Sequence, residues 1–310
     1  MLSFGVYIMC RDRLDYLQEL VFLIKNNVEI SFNIKFYISD NSLNTANTQQ
    51  LRKLYSSDFH IIERGGALRS YQHYWTIIAE AKEDFICVLH DDDIISVDFF
   101  QRICSFISLN SNVSAVAFNS CSFDQSRKIY TVSQIMYEKC EVDYKDIVTK
   151  YLSQQSVPAI SGYFLNSRRL HELDPAAYAG IYMDGALIIH LAQKYGNVFW
   201  LPQVKLFSRV HGNNESFTEN TMHRRKLIRL LLNDKIIKKD EVLAKYYLCL
   251  SVMRKKNQDG TLLILKGLLS RKEFLNKEFA FLVLRNFLSN LANRFYAFAF
   301  LRKLNNQLFK

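Results

Sequence analysis

The sequence predicts an α/β protein: a mostly parallel sheet covered by helices on both faces, followed by a helical C-terminal region. Three observations carry this expectation. Over the first 120 residues, short apolar runs alternate with stretches whose apolar residues recur at three and four, the pattern of strand–helix units. Three consecutive acids, Asp91-Asp92-Asp93, stand directly behind the apolar run Phe85–His90, so a buried strand ends in charge. The charge is also divided along the chain. Residues 221–310 hold 20 Lys+Arg against 6 Asp+Glu, whereas 1–220 hold 20 against 24, so the net charge of +10 belongs wholly to the last 90 residues. Two regions with separate roles follow, with bounds at 1–215 and 216–310.

Taken in order, Leu2–Met9 reads as a strand and Leu14–Asn26 as a helix with the apolar stripe Leu17, Leu20, Val21 and Ile24. Asn33–Ser39 is the next strand, closed by Asp40-Asn41-Ser42. A helix over Thr48–Tyr55 leads to the strand Phe59–Glu63, and Gly65-Gly66 opens a longer helix running to about Lys82. The strand Asp84–Leu89, the acidic triplet, the helix Val97–Leu109 and the strand Val116–Asn119 complete this part. From Lys128 to His211 the alternation weakens: Arg127–Ser133 reads as a hairpin strand, Tyr144–Leu152 as a helix, Ala159–Phe164 as a short apolar piece, Asp184–Tyr195 as a helix and Val198–Phe207 as a strand. Beyond Asn220 every pattern is helical.

Composition narrows the class. Hydrophobic content of 49% and aromatic content of 14%, with only three prolines, give ample core material and no disordered stretch. The six cysteines form no CxxC pair, and several sit inside apolar runs, so they read as reduced core residues of a cytoplasmic protein. Leu2–Met9 has no positive flank and does not read as a signal peptide. Phe279–Leu304 is rich in Phe and Leu but is interrupted by Arg285, Asn286, Asn290, Asn293 and Arg294, so it falls short of the roughly 20 apolar residues a span needs. It reads either as a helix lying in an anionic membrane surface or as an ordinary helical subdomain with a solvated basic side.

Three like charges in a row repel unless a cation collects them, and Mg²⁺ or Mn²⁺ takes carboxylate oxygens while sharing itself with a substrate phosphate. The competing reading has the triplet capping the helix near Val97. Strand-to-helix loops of a parallel sheet fall on one edge, so Arg11–Arg13, Asp40–Ser42 and Asp91–Asp93 are expected neighbours there.

The loops also resemble, in order, those of family 2 glycosyltransferases, which have the GT-A fold. Phe4–Arg13 resembles the family's first strand and loop, and Ile38–Ser42 its second-strand motif. Gly65-Gly66 through Tyr74 resembles the turn and helix lining the donor site, and Val88–Asp93 the DxD element. Ile160–Tyr163 resembles the acceptor-side glycine loop, Tyr182-Met183-Asp184 the Glu-Asp motif, and Ser208–Asn213 the closing Arg-x-His motif. The resemblance covers about residues 2–212 and implies a Rossmann-type mixed sheet flanked by helices.

It also implies roles. Arg11, Asp40, Gly65, Gly66 and Arg69 would meet the nucleotide-sugar donor. Asp91, Asp92, Asp93 and His211 would hold the divalent metal, Mg²⁺ or Mn²⁺, with Asp92 favoured and Asp91 or Asp93 beside it. Asp184 would be the general base that deprotonates an acceptor hydroxyl and inverts the sugar carbon. The acceptor would be a glycan or undecaprenyl-linked glycan of bacterial O-antigen or capsule synthesis, reached from the inner membrane face. Met183 replaces the usual acid before the base, and His90 stands where the first Asp of DxD often stands. The alternative class is a metal-dependent nucleic-acid-processing or nucleic-acid-binding protein. Against it, the acids lie in the region of net charge −4, and no basic Gly-rich or RNP-like pattern occurs, so no nucleic-acid partner is expected.

Overall fold

A computed structural model describes residues 1–27, 31–110, 112–124, 126, 129–132, 141–152, 161–173, 180, 183–210, 227 and 229–237. The chain divides into two compact units, Met1–Thr218 and Glu219–Lys310. Within the second unit, 229–233 are helical, and Leu227, Leu231 and Ile237 are buried. The remainder of the basic tail, including the helix expected over Phe279–Leu304, lies outside the described residues. Among those described, no helix is long and apolar enough to cross a membrane.

The first unit opens as expected, with β1 (Ser3–Cys10), α1 (Leu14–Asn27), β2 (Asn33–Asp40), α2 (Thr45–Tyr55), β3 (His60–Glu63), α3 (Ser70–Glu80) and β4 (Phe85–His90). β5 (Asp93–Ile95), α4 (Phe99–Leu109), β6 (Ala115–Asp124), β7 (Ile129–Val132), β8 (Glu141–Val142) and α5 (Tyr144–Leu152) follow. Then come β9 (Phe164–Asn166), α6 (Ser167–His171), α7 (Met183–Tyr195) and β10 (Val198–Val210). The main path across the sheet runs β3-β2-β1-β4-β9-β6-β10-β5, with β7 beside β6 and β8 beside β10.

The sheet is mixed rather than mostly parallel. β3, β2, β1 and β4 pair in parallel, as do β6 and β10. β9 enters antiparallel between β4 and β6, and β5 runs antiparallel to β10. Only Asp91 and Asp92 separate β5 from β4, yet β5 pairs with β10 at the far end of the path and not with β4. In β10 the register with β6 shifts between Leu201 and Lys205, around Pro202, which has no N–H for the ladder.

Register sets the level of the strand ends. Cys10 lies abreast of Asp40 and Met9 abreast of His90, so the loops after β1, β2 and β4 leave the sheet side by side. Beneath them an aromatic seam holds the parallel and antiparallel halves together. Phe4 meets Phe85 and Phe164, Phe164 meets Phe100, and Phe99 meets Phe100 and Phe118, with centroids 5.2–6.3 Å apart. Five of these six rings are among the largest fully buried side chains, which pins α4 on β1, β9 and β6.

At the opposite flank a buried acid staples β1 to β2. Glu83 accepts hydrogen bonds from Tyr7 Oη (2.9 Å) and Tyr37 Oη (2.6 Å), whose rings stack 4.4 Å apart. Burial alone would raise the Glu83 carboxyl, but the hydroxyls of Tyr37 and Tyr7 outweigh it and hold the group below its ordinary value. A depressed carboxylate stabilises the fold at neutral pH, and that contribution is lost as pH falls through its folded pKa. Glu83→Gln is therefore expected to cost on the order of 2 kcal/mol at pH 7. The gap to wild type should close as pH falls through the lowered pKa of the folded carboxyl. Urea unfolding across that range measures it; a gap that does not change with pH would show that the carboxylate charge plays no part.

Candidate active site

The three loops are tied together by backbone and side-chain bonds. Asn41 N donates to Cys10 O (2.9 Å) and Asp91 N to Met9 O (3.0 Å). Arg11 N donates to Asp91 Oδ2 (3.1 Å) and Asp12 N to Ser42 Oγ (3.0 Å). The structure thus gathers Arg11, Asp40 and Asp91–Asp93 at the carboxyl edge of β1, β2 and β4, where open α/β sheets bind ligands.

On the β2 side, Asp40 is buried and accepts from Ser42 N (3.0 Å) and Thr48 Oγ1 (2.5 Å). Arg64 N donates to Asp40 O (2.8 Å), which brings the end of β3 alongside. Gly65 and Gly66 both have φ near +70°, so this stretch is a turn; α3 begins at Ser70 rather than at the glycines. Gly66 has a second reason to be glycine: a Cβ there would lie 2.7 Å from Leu43 Cδ2 and 2.9 Å from Ser42 O. Arg69 caps α3, its N–H donating to Gln72 Oε1 (3.0 Å), and its side chain is exposed. Behind Asp40, Ser39 Oγ meets His73 Nε2 (2.8 Å) and accepts from Arg64 Nε (2.9 Å). Burial, with Arg64 and His90 nearby, pushes His73 down to about 4, so its imidazole is neutral at pH 7.

The acidic triplet does not cap α4. That helix starts at Phe99 behind Asp98, and β5 intervenes. All three carboxylates are buried. Asp91 and Asp92 receive Arg13: Nη2 lies 2.5 Å from Asp91 Oδ1 and Nη1 donates to Asp92 Oδ2 at 2.8 Å. Asp93, fixed in β5 opposite Ser208 of β10, accepts from His90 N (2.7 Å) and from Ser161 Oγ. Burial pushes Asp91 up to about 7, against the pull of Arg13, and Asp93 up to about 6, against the pull of His90. Such carboxylates gain from a nearby cation.

Among the described residues, one group of side chains offers ligand atoms that all lie within 4.8 Å of one another: His90, Asp92 and Asp93. Two carboxylates and an imidazole suit Mn²⁺ and, less well in its nitrogen, Mg²⁺, so the residues present fit the expected ion. This candidate group overlaps the expected ligands at Asp92 and Asp93. His90 joins it and Asp91 does not, because Asp91 is turned to Arg13. His211 lies outside the described residues. Asp184 is the second residue of α7, and its side chain also lies outside them.

The glycine loop expected on the acceptor side reaches the same place. Ser161 bonds to Asp93, and Gly162 N donates to Val88 O (2.8 Å). Gly162 has φ +81°, and a Cβ would meet Leu206 Cδ1 at 2.7 Å and Phe118 Cζ at 2.8 Å. At the closing motif, Arg209 is buried against α1: Nη2 donates to Glu19 Oε2 (2.6 Å) and the guanidinium lies 4.7 Å from the Tyr16 ring centroid. Sequence reasoning missed the pairing of Arg13 with the carboxylates and the link from Ser161 to Asp93.

The profile described as "Glycosyl transferase family 2" matches residues 6–173, more than half of the chain. The chain belongs to that family. The family 2 match runs from within β1 through α6, and so includes Arg13, Asp40, Gly66, His90–Asp93 and Ser161. No curated protein matches the sequence. Among solved structures, S. aureus TarS 1-349 superposes with a TM-score of 0.58 at 13% identity, covering 94% of this chain and 82% of that one. TarS 1-349 in complex with UDP-GlcNAc gives 0.57 at 12% identity, covering 93% and 81%. The complex with UDP gives 0.55 at 14%, covering 84% and 73%. The fold of this family 2 glycosyltransferase is therefore the GT-A-like, Rossmann-type mixed sheet flanked by helices, and the chain is an enzyme.

Proposed function

We propose that this family 2 enzyme is an inverting, metal-dependent transferase. It moves one sugar from a nucleotide-sugar donor to a hydroxyl of a glycan or undecaprenyl-linked acceptor in bacterial surface polysaccharide synthesis. The observation that carries the reading is the convergence of His90, Asp92 and Asp93 beside the Asp40 loop at one sheet edge. UDP is the donor nucleotide favoured, since TarS 1-349 is solved with UDP and with UDP-GlcNAc.

His90, Asp92 and Asp93, together with the expected ligand His211, would hold a divalent ion, which would supply charge neutralisation to a departing diphosphate. The chain's own residues do the rest. Asp40, beside the Gly65-Gly66 turn, accepts hydrogen bonds from the nucleoside. The exposed guanidinium groups of Arg11 and Arg69 meet phosphate oxygens, a contact at which the planar fork gains most. Asp184, at the start of α7, takes the proton of the attacking hydroxyl. The catalytic region is 1–215, and the basic region 216–310, with its surplus of 14 positive charges over 221–310, docks on the anionic inner face of the membrane.

A donor screen tests this. Full-length protein with Mn²⁺ is expected to gain thermal stability from UDP and to release nucleotide from one UDP-sugar when a glycan acceptor is added. Stabilisation by oligonucleotides, with none from nucleoside diphosphates, would sink the reading in favour of the nucleic-acid class.

A further inference from the structure

We propose that Arg13 is the resident counter-cation of the acidic triplet, and that it competes with the divalent ion for Asp92. The proposal rests on the reading of His90, Asp92 and Asp93 as the ion's ligands. The guanidinium forks onto Asp91, with Nη2 2.5 Å from Oδ1 and Nε donating to Oδ2 at 3.2 Å. Its remaining arm, Nη1, donates to Asp92 Oδ2 at 2.8 Å. One arginine thus spans the carboxylate that stands apart from the candidate ligand group and a carboxylate that belongs to it.

The placement is built in by the backbone. Leu17 N donates to Arg13 O (3.2 Å), so Arg13 is held at the start of α1. The preceding residue, Asp12, has φ +55°, and its carboxylate accepts from Leu43 N (3.3 Å), Asn44 N (3.4 Å) and Asn47 Nδ2 (3.0 Å). The loop is thereby clamped to the chain entering α2. That fixed turn leaves Arg11 exposed and Arg13 partly buried on the acids. The two arginines therefore play different parts. Arg11 faces the solvent side, where phosphate arrives, and Arg13 faces the carboxylates.

Asp91 is fully buried, and a buried carboxylate without a partner is strongly destabilising, so the fork on Asp91 is structural. The contact with Asp92 is different. Asp92 has two oxygens and can face two cations, but a dication on either oxygen stands close to the guanidinium, and like charges repel. An ion therefore enters by displacing Nη1 or against that repulsion. Arg13 keeps the triplet folded while no metal is bound and lowers the affinity with which metal is bound.

The test uses the full chain and Mn²⁺ alone, with binding followed by electron paramagnetic resonance and unfolding by thermal melts. Arg13→Gln should melt lower than wild type without metal. It should bind Mn²⁺ about tenfold more tightly, since one charge-assisted hydrogen bond no longer has to be broken. Saturating Mn²⁺ should raise its melting temperature more than it raises that of wild type. The double variant Arg13→Gln with Asp91→Asn leaves the local net charge unchanged and removes the orphaned carboxylate. It should fold and still bind Mn²⁺ more tightly, and it decides the matter if the single variant does not fold. Wild-type or weaker Mn²⁺ binding in the double variant overturns the competition and leaves the metal site standing. Absence of Mn²⁺ binding in wild type and variants alike overturns the metal site, and this proposal with it.

Discussion

Asp92→Asn is expected to lower metal-dependent sugar transfer about 10²–10³-fold, the scale of losing one group that stabilises developing charge in a transition state. Asp92 is the carboxylate shared by Arg13 and the candidate ligand group. Asparagine keeps the volume, and its amide oxygen still accepts from Arg13 Nη1, so secondary structure should be unchanged. What it removes is one negative charge and a hard anionic ligand, which an amide oxygen replaces poorly for Mg²⁺ or Mn²⁺. The effect on the ion is thus opposite to that of Arg13→Gln: Mn²⁺ binding weakens in one variant and strengthens in the other. Nucleotide release at several Mn²⁺ concentrations, beside circular dichroism, separates loss of metal from loss of fold. Wild-type turnover in Asp92→Asn would remove the metal assignment.

Much of this site was legible because strand ends and loop chemistry are local signals. The runs that form β1, β2 and β4 are long enough to show their period, and β–α alternation places their loops on one edge without any knowledge of distances. The bounds of α5, Tyr144–Leu152, follow from its own apolar periodicity. The misreadings have physical causes. β5 and β9 are three residues each, too short to carry a period, and both exist only because neighbouring strands accept them. β10 continues past Phe207 through Ser208, Arg209 and Val210, where Arg209 is polar yet buried by Glu19 and Tyr16, partners some 190 positions away. The helix expected from Gly65 starts later because both glycines take left-handed φ.

The same reasoning explains why the candidate group is not simply the three adjacent acids. From sequence, three adjacent acids are equivalent candidates. In the fold, alternation along the chain and the turn into β5 give each different neighbours: Asp91 meets Arg13, Asp92 meets Arg13 and the His90–Asp93 group, and Asp93 meets Ser161. Nothing in the spacing of Arg13 and Asp91, 78 positions apart, announces that pair. Only the parallel registry of β1 with β4 brings it about.

Asp184→Asn is expected to leave donor binding intact and to cut transfer about 10²–10⁴-fold, the range for removing a positioned general base. The substitution is chosen because Asp184, second residue of α7, also stands in the first turn of a helix, where a carboxylate is favoured in its own right. Asparagine forgoes only about 0.3–1 kcal/mol of attraction between a carboxylate and the helix N-terminus, so a purely structural Asp184 predicts a folded variant with wild-type rates. A general base predicts a stable variant without transfer, because an amide does not take up a proton near neutral pH. Two measurements on one variant therefore decide between the roles: affinity for UDP in the presence of Mn²⁺, and the rate of sugar transfer. Intact nucleotide binding with lost transfer places the defect at the acceptor hydroxyl. Equal loss of both would instead make Asp184 a part of the donor site, and full activity would assign it to the helix alone.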